Sequence, residues 1–161
     1  MAAPHHDKLL SELLKNGREC EWIEFKLNDS KPDEIGEYCS ALSNAALLHD
    51  KPHGYLVFGI SDSNLKVEGT RFRPSEAKIG NQELENWVAT QLDPAIDFSI
   101  FEFEYEGKPV AIFKVDAART RPVAFRGKEF IRVGTYKKPL KDHPEKERKI
   151  WEKISATSFE S

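Results

Sequence analysis

The run Gly54-Tyr55-Leu56-Val57-Phe58-Gly59-Ile60 is apolar at odd and even positions alike. A strand with one wet face alternates, so a run apolar on both faces predicts a central strand covered above and below. Upstream, residues 20–27 do alternate, with Ile23 and Phe25 on one side and Trp22, Glu24 and Lys26 on the other, and read as a second strand. Between the two, Asn28-Asp29-Ser30-Lys31 is a loop and Pro32 suits the first turn of a helix. Ile35, Tyr38, Cys39, Leu42, Ala45 and Ala46 then make a helical stripe to about Leu48, followed by a turn-rich link over 49–54.

Working outward, residues 7–16 predict a helix with Asp7 as N-cap, Leu9, Leu10, Leu13 and Leu14 on one stripe, and Gly17 as the stop. After the central strand come a turn over 61–64 and a short edge strand over 66–69. Asn81 can cap a helix through Leu84, Trp87, Val88 and Leu92, ended by Asp93-Pro94. Residues 98–105 and 109–115 pair as a hairpin, and 123–125 with 129–133 as a second. Residues 144–154 read as a charged helix and 155–161 as a tail or the start of a linker. The chain carries no repeat or low-complexity segment. It predicts one domain over 1–154, of α/β (α+β) class, with helices packed on a mixed β-sheet in two or three layers.

Composition sets the limits. Leu, Ile, Val and Phe number 40 of 161 residues, which excludes disorder as the main state. No apolar run nears the ~18–20 residues of a membrane-spanning helix, and residues 1–7 lack the apolar core of a signal peptide. Two cysteines, Cys20 and Cys39, outside any CxxC pair, fit a reducing compartment, so a cytoplasmic protein is expected. The net charge of −3 conceals a split: residues 1–118 carry −9 and residues 119–149 carry +7. That asymmetry suggests a localised anion-binding surface.

No GxxxxGK[ST] loop and no GxGxxG after a strand is present, which speaks against ATP hydrolysis here. His49 and His53 lie in a loop without further ligands at useful spacing, and are read as solvated rather than as a zinc site. Neither cysteine has a neighbouring histidine base, so both are read as core residues. Glu19, Glu24 and Asp62 flank the ends of the two strands and converge if those strands are neighbours. Three carboxylates so gathered call for a divalent cation such as Mg²⁺ or Mn²⁺, which can stabilise a phosphodiester transition state, with Lys26 beside Glu24 for a phosphate or a carboxylate. The alternative is that Glu24 pairs with Lys26 on a strand surface. An odd separation sends Glu19 and Glu24 to opposite faces of a straight strand, so convergence needs a bend near Cys20.

Glu19-x-x-x-x-Glu24-Phe25-Lys26, a helix, then Gly54 to Asp62, resemble the Schlafen/AlbA-like domain. So do Val67-Glu68-Gly69, Gly107-Lys108-Pro109-Val110, Pro122-Val123 and Phe130-Ile131-Arg132-Val133-Gly134-Thr135, the resemblance running from about 16 to 136. It implies a nucleic-acid-binding module of transcriptional regulators, often the N-terminal part of longer chains. It also implies, from animal members, RNA cleavage with a divalent metal on a Glu/Glu/Asp set that maps onto Glu19, Glu24 and Asp62. The Ala-Asn-Gly-Gly approach to the central strand usual in the family is replaced here by residues 45–54. An animal nuclease core holds two such lobes, so one lobe implies a homodimer for a comparable cleft.

The basic stretch supplies Arg119, Arg121, Arg126, Lys128, Arg132, Lys137 and Lys138 as candidate phosphate contacts, with Tyr136 placed to stack a base. Lys146, Arg148 and Lys149 read instead as partners of Glu145, Glu147 and Glu152 on a solvated helix. The expected function is therefore a DNA- or RNA-binding domain of a transcriptional regulator. The alternatives are a metal-dependent endoribonuclease and a protein-interaction or nucleotide-binding module.

Overall fold

A computed structural model describes residues 4–17 and 20–160. Helix α1 (Pro4–Asn16) precedes strand β1 (Ile23–Lys26), helix α2 (Pro32–Leu48) and strand β2 (His53–Phe58). A two-stranded ribbon, β3 (Lys78–Ile79) and β4 (Gln82–Glu83), leads into α3 (Leu84–Gln91) and β5 (Leu92–Asp93). The long hairpin β6 (Phe98–Tyr105) and β7 (Lys108–Asp116) follows, then β8 (Ala124–Phe125), β9 (Lys128–Val133), β10 (Tyr136–Pro139) and α4 (Pro144–Glu160).

The α+β class holds, with two four-stranded sheets where one mixed sheet was expected. The first, in the order β1-β2-β7-β6, is mixed: β1 runs parallel to β2, and the other pairs are antiparallel. The second, β10-β9-β8-β5, is antiparallel. The sequence places 123–125 and 129–133 together but offers no alternation over Tyr136-Lys137-Lys138-Pro139 to announce β10, and it is this strand and β5 that make the hairpin a sheet.

Helix α2 lies between the sheets. Ile35, Tyr38, Cys39 and Leu42 pack with Leu56 and Phe58 of β2 and Phe113 of β7, while Ala45 joins Ile131, Leu140, Ile150 and Ile154 under α4. The opposite face of the mixed sheet, Ile23, Phe25, Val57 and Ile112, is covered by Leu10 and Leu13 of α1. The backbones approach closely: a Cβ on Gly36 would stand 2.0 Å from the Phe125 ring, and one on Gly54 2.6 Å from the Leu42 carbonyl oxygen.

Several expected boundaries move. Helix α1 begins at Pro4, which puts Asp7 in its first turn and not at the N-cap. The edge strand over 66–69 is reduced to a single bridge between Ile60 and Val67. The helix expected from Asn81 begins at Leu84, because Gln82 and Glu83 are drawn into the β3–β4 ribbon. The tail expected over 155–161 is helical through Glu160, since no Gly or Pro interrupts it and Thr157 Oγ1 donates to the Lys153 carbonyl. No helix among the described residues is long and apolar enough to cross a membrane.

Candidate functional site

Side chains alternate along β1, so placing Ile23 and Phe25 against α1 delivers Glu24 and Lys26 to the α2 side. The parallel register sets Glu24 opposite Leu56 and Lys26 opposite Phe58. Asp62, in the turn after β2, comes near enough for its charge to act on Glu24. The adjacency of the two strands, on which convergence depended, is therefore present. Glu19 lies outside the described residues.

Glu24 is 7% exposed. Its Oε1 lies 3.0 Å from Arg132 Nη1 and its Oε2 3.6 Å from Lys26 Nζ. Arg132 reaches across from β9 of the second sheet and also donates to the carbonyls of Ile23 (3.0 Å) and Gly134 (3.2 Å). Burial raises the Glu24 carboxyl above its ordinary range, helped by the Asp62 charge and against the pull of Arg132 and Lys26. Tyr38 of α2 completes the cluster: Lys26 Nζ stands 4.8 Å and Lys137 Nζ 4.7 Å from its ring centroid, and Lys137 also pairs with Glu37. Burial and the Glu24 charge push the Tyr38 hydroxyl up. Burial would loosen the proton of Lys26, but Tyr38 and Glu24 outweigh it, and the ammonium is held above its usual value.

Among the described residues this is a poor donor set for a divalent cation. Both oxygens of Glu24 already face cations, and among the described residues no three His, Cys, Asp or Glu are gathered around a metal-sized point. His49 Nε2 donates to Glu21 Oε1 at 2.8 Å, and His53 lies 3.4 Å from Asp116, so the two histidines serve separate carboxylates.

The basic candidates divide. Arg132 is 1% exposed and corrects the surface reading: its guanidinium is turned inward onto Glu24 and the Ile23 carbonyl, so it cannot meet a phosphate outside. Arg119, Arg121 and Arg126 are exposed but pair with Asp116 (3.0 Å), Asp93 (2.6 Å) and Asp33 (3.1 Å). Exposed pairs of this kind are worth about 0–1 kcal/mol, so a phosphate can displace the acid. Lys128 is exposed and lines a depression of about 280 Å³ with Lys141 and Glu129. Lys138 is exposed and stands 5.5 Å from the ring centroid of Tyr136, which is itself 68% exposed. Tyr38, Glu37 and Glu21 were not singled out by the sequence. The available signal was for Tyr38: a tyrosine on a core stripe needs a buried or half-buried partner for its hydroxyl.

Residues 19–141 match the family described as Schlafen, AlbA_2, and the chain belongs to that family. No curated protein matches it. Among solved structures, it is similar to the DIP2311 protein of Corynebacterium diphtheriae, with 18% identity and a TM-score of 0.54. That match covers 82% of this chain but 29% of the other, so the chain spans under a third of that relative and shares its fold. It is also similar to the N-terminal domain of a RecG-related protein of Nitrosomonas europaea, with 19% identity, a TM-score of 0.49, and coverage of 84% of this chain and 92% of that one.

Proposed function

We propose that the domain binds single-stranded nucleic acid without cutting it, as the recognition module of a larger regulatory protein. The observation that carries this is Tyr136. A tyrosine 68% exposed at the start of β10, with the Lys138 ammonium 5.5 Å from its ring centroid, contributes nothing to the core. It has the form of a stacking platform bordered by phosphate contacts. Membership of the Schlafen, AlbA_2 family agrees with a nucleic-acid-related role. Arg126 and Lys128 on the neighbouring hairpin add charge on the same sheet.

The balanced state of Glu24 favours binding over catalysis. A nucleophilic water needs a metal or a free base to activate it, whereas this carboxylate is spent on Arg132 and Lys26. The test is fluorescence anisotropy with labelled single-stranded RNA and DNA at low salt, in EDTA and in Mn²⁺. Tyr136→Ala is expected to weaken binding about 5- to 150-fold, the equivalent of ~1–3 kcal/mol for one stacked base. Full affinity in the Tyr136→Ala protein would sink the reading. Cleavage of the RNA in Mn²⁺ but not in EDTA would replace it with the nuclease alternative on Glu19, Glu24 and Asp62.

A further inference from the structure

Seven arginines lie among the described residues, and five are held by carboxylates: Arg119, Arg121, Arg126, Arg132 and Arg148. Arg71 and Arg73 are the exceptions. Both are exposed, and neither guanidinium has a carboxylate partner among the described residues.

Their backbone is firmly placed. Thr70 Oγ1 and the Arg71 N–H both donate to Asn28 Oδ1, at 3.0 and 2.8 Å, and the Thr70 N–H donates to the Pro109 carbonyl at 2.8 Å. The Phe72 ring packs on Phe58 and Phe113 with centroids 4.7 and 6.4 Å away, so the residues on either side of it are turned outward. Asn28, Ser30, Arg71, Phe72, Arg73 and Glu76 line a shallow depression of about 400 Å³. Both bonds at Asn28 end on its oxygen, which leaves its NH₂ to donate to a ligand.

The geometry points to this depression as a phosphate subsite for a phosphodiester backbone, with Arg71 and Arg73 supplying charge and Asn28 and Ser30 neutral donors. Two arginines against Glu76 leave one net positive charge, which matches the single charge of a phosphodiester. The inference rests on the nucleic-acid reading above and extends it, because an unbroken series of neighbours joins the two places. Tyr136 adjoins Lys137, Lys137 lies over Tyr38, Lys26 lies over the same ring, Asn28 follows two residues after Lys26, and Asn28 binds Arg71. The half-buried Lys26 and Lys137 carry positive charge between the two places.

The experiment compares Arg71→Gln/Arg73→Gln with Arg148→Gln/Lys149→Gln on α4, which removes the same charge elsewhere. In anisotropy titrations of a single-stranded oligonucleotide against salt, the first variant should bind at least about fivefold more weakly at low salt. Its log–log slope should be shallower by about 0.7–1.4, one or two phosphates' worth. The α4 variant should match the parent. Equal losses in the two variants would reduce the effect to net charge and overturn the subsite. Parental affinity in Arg71→Gln/Arg73→Gln beside weakened binding in Tyr136→Ala would overturn the subsite and leave the nucleic-acid reading standing. If the parent binds no oligonucleotide, that reading falls, and pyrophosphate followed through the backbone amides of residues 28–30 and 71–73 decides the subsite alone. Shifts that vanish in the double variant support it, and unmoved amides overturn it.

Discussion

At Glu24 the domain keeps a carboxylate out of water and balances it from two directions, by Lys26 on its own strand and Arg132 on another sheet. Removing one partner of such a pair leaves a buried charge uncompensated, which costs about 3–5 kcal/mol. Arg132→Met should therefore lose stability of that order in urea at pH 7, and Glu24→Gln in the same protein should recover part of it. A parental midpoint for Arg132→Met would show that the pair holds nothing. The native Glu24 carboxyl is raised by burial, so protonation favours the fold, and its contribution falls as pH rises through the carboxyl range. The Arg132→Met deficit should accordingly shrink as the urea series is taken down towards pH 4. Glu21 has the opposite sign. Burial pushes it up, but the Gly134 N–H at 2.7 Å, His49 and Lys146 prevail, and its carboxyl is held below the ordinary range. Its contribution is present above the unfolded-chain value and is lost as pH falls through the native one. Glu21→Gln should cost about 1 kcal/mol at pH 7, discounted for partial exposure, and progressively less as the pH falls below the ordinary carboxyl range, by thermal melting.

Among the elements, α2 decides the architecture, and half of it was readable in advance. The apolar residues at helical spacing named one covered face. Ser40, Ser43 and Asn44, equally buried, carry no such mark, because a small polar residue reads as surface until its backbone partner is known. Ser40 Oγ donates to the Val123 carbonyl at 2.6 Å and accepts the Phe130 N–H at 3.0 Å. Asn44 donates to the carbonyls of Val123 (3.0 Å) and Phe130 (2.8 Å) and accepts the Val123 N–H at 2.8 Å. Asn44→Ala should strand those groups at about 1–3 kcal/mol each, fewer if water enters, and should speed hydrogen exchange at Val123 more than at Phe113. Unchanged exchange at Val123 would mean the second sheet is held by its apolar contacts alone. The same logic hid Arg132. An arginine on a strand reads as surface until the Glu24 carboxylate and the Ile23 carbonyl that its guanidinium meets are placed.

For the whole molecule, the charge split along the chain is much reduced in space. Arg119, Arg121 and Arg126 come from the basic stretch, and the acids that meet them, Asp116, Asp93 and Asp33, come from the acidic part. Segment arithmetic reports who is near in sequence, and salt bridges report who is near in the fold. Adjacency of β1 and β2 could be anticipated, because a central strand needs neighbours and the intervening helix supplies the crossover. The lack of a carboxylate partner at Arg71 and Arg73 could not, since it is recognisable only when the described acids have been placed.

The bonds that clasp α2 link residues far apart along the chain: 83 for Ser40 with Val123, 79 for Asn44 with Val123 and 90 for Ser40 with Phe130. The clasp of Arg132 on the Ile23 carbonyl spans 109. On a ribosome adding about 5–20 residues per second, the helix emerges some 4–18 s before the strands that satisfy its polar side. During that interval Ser40 and Asn44 have only water to bond, and the apolar stripe beside them has half its cover. This domain therefore closes late in its own synthesis, from its last strands inward, and the nascent chain up to β7 is the species a chaperone would meet.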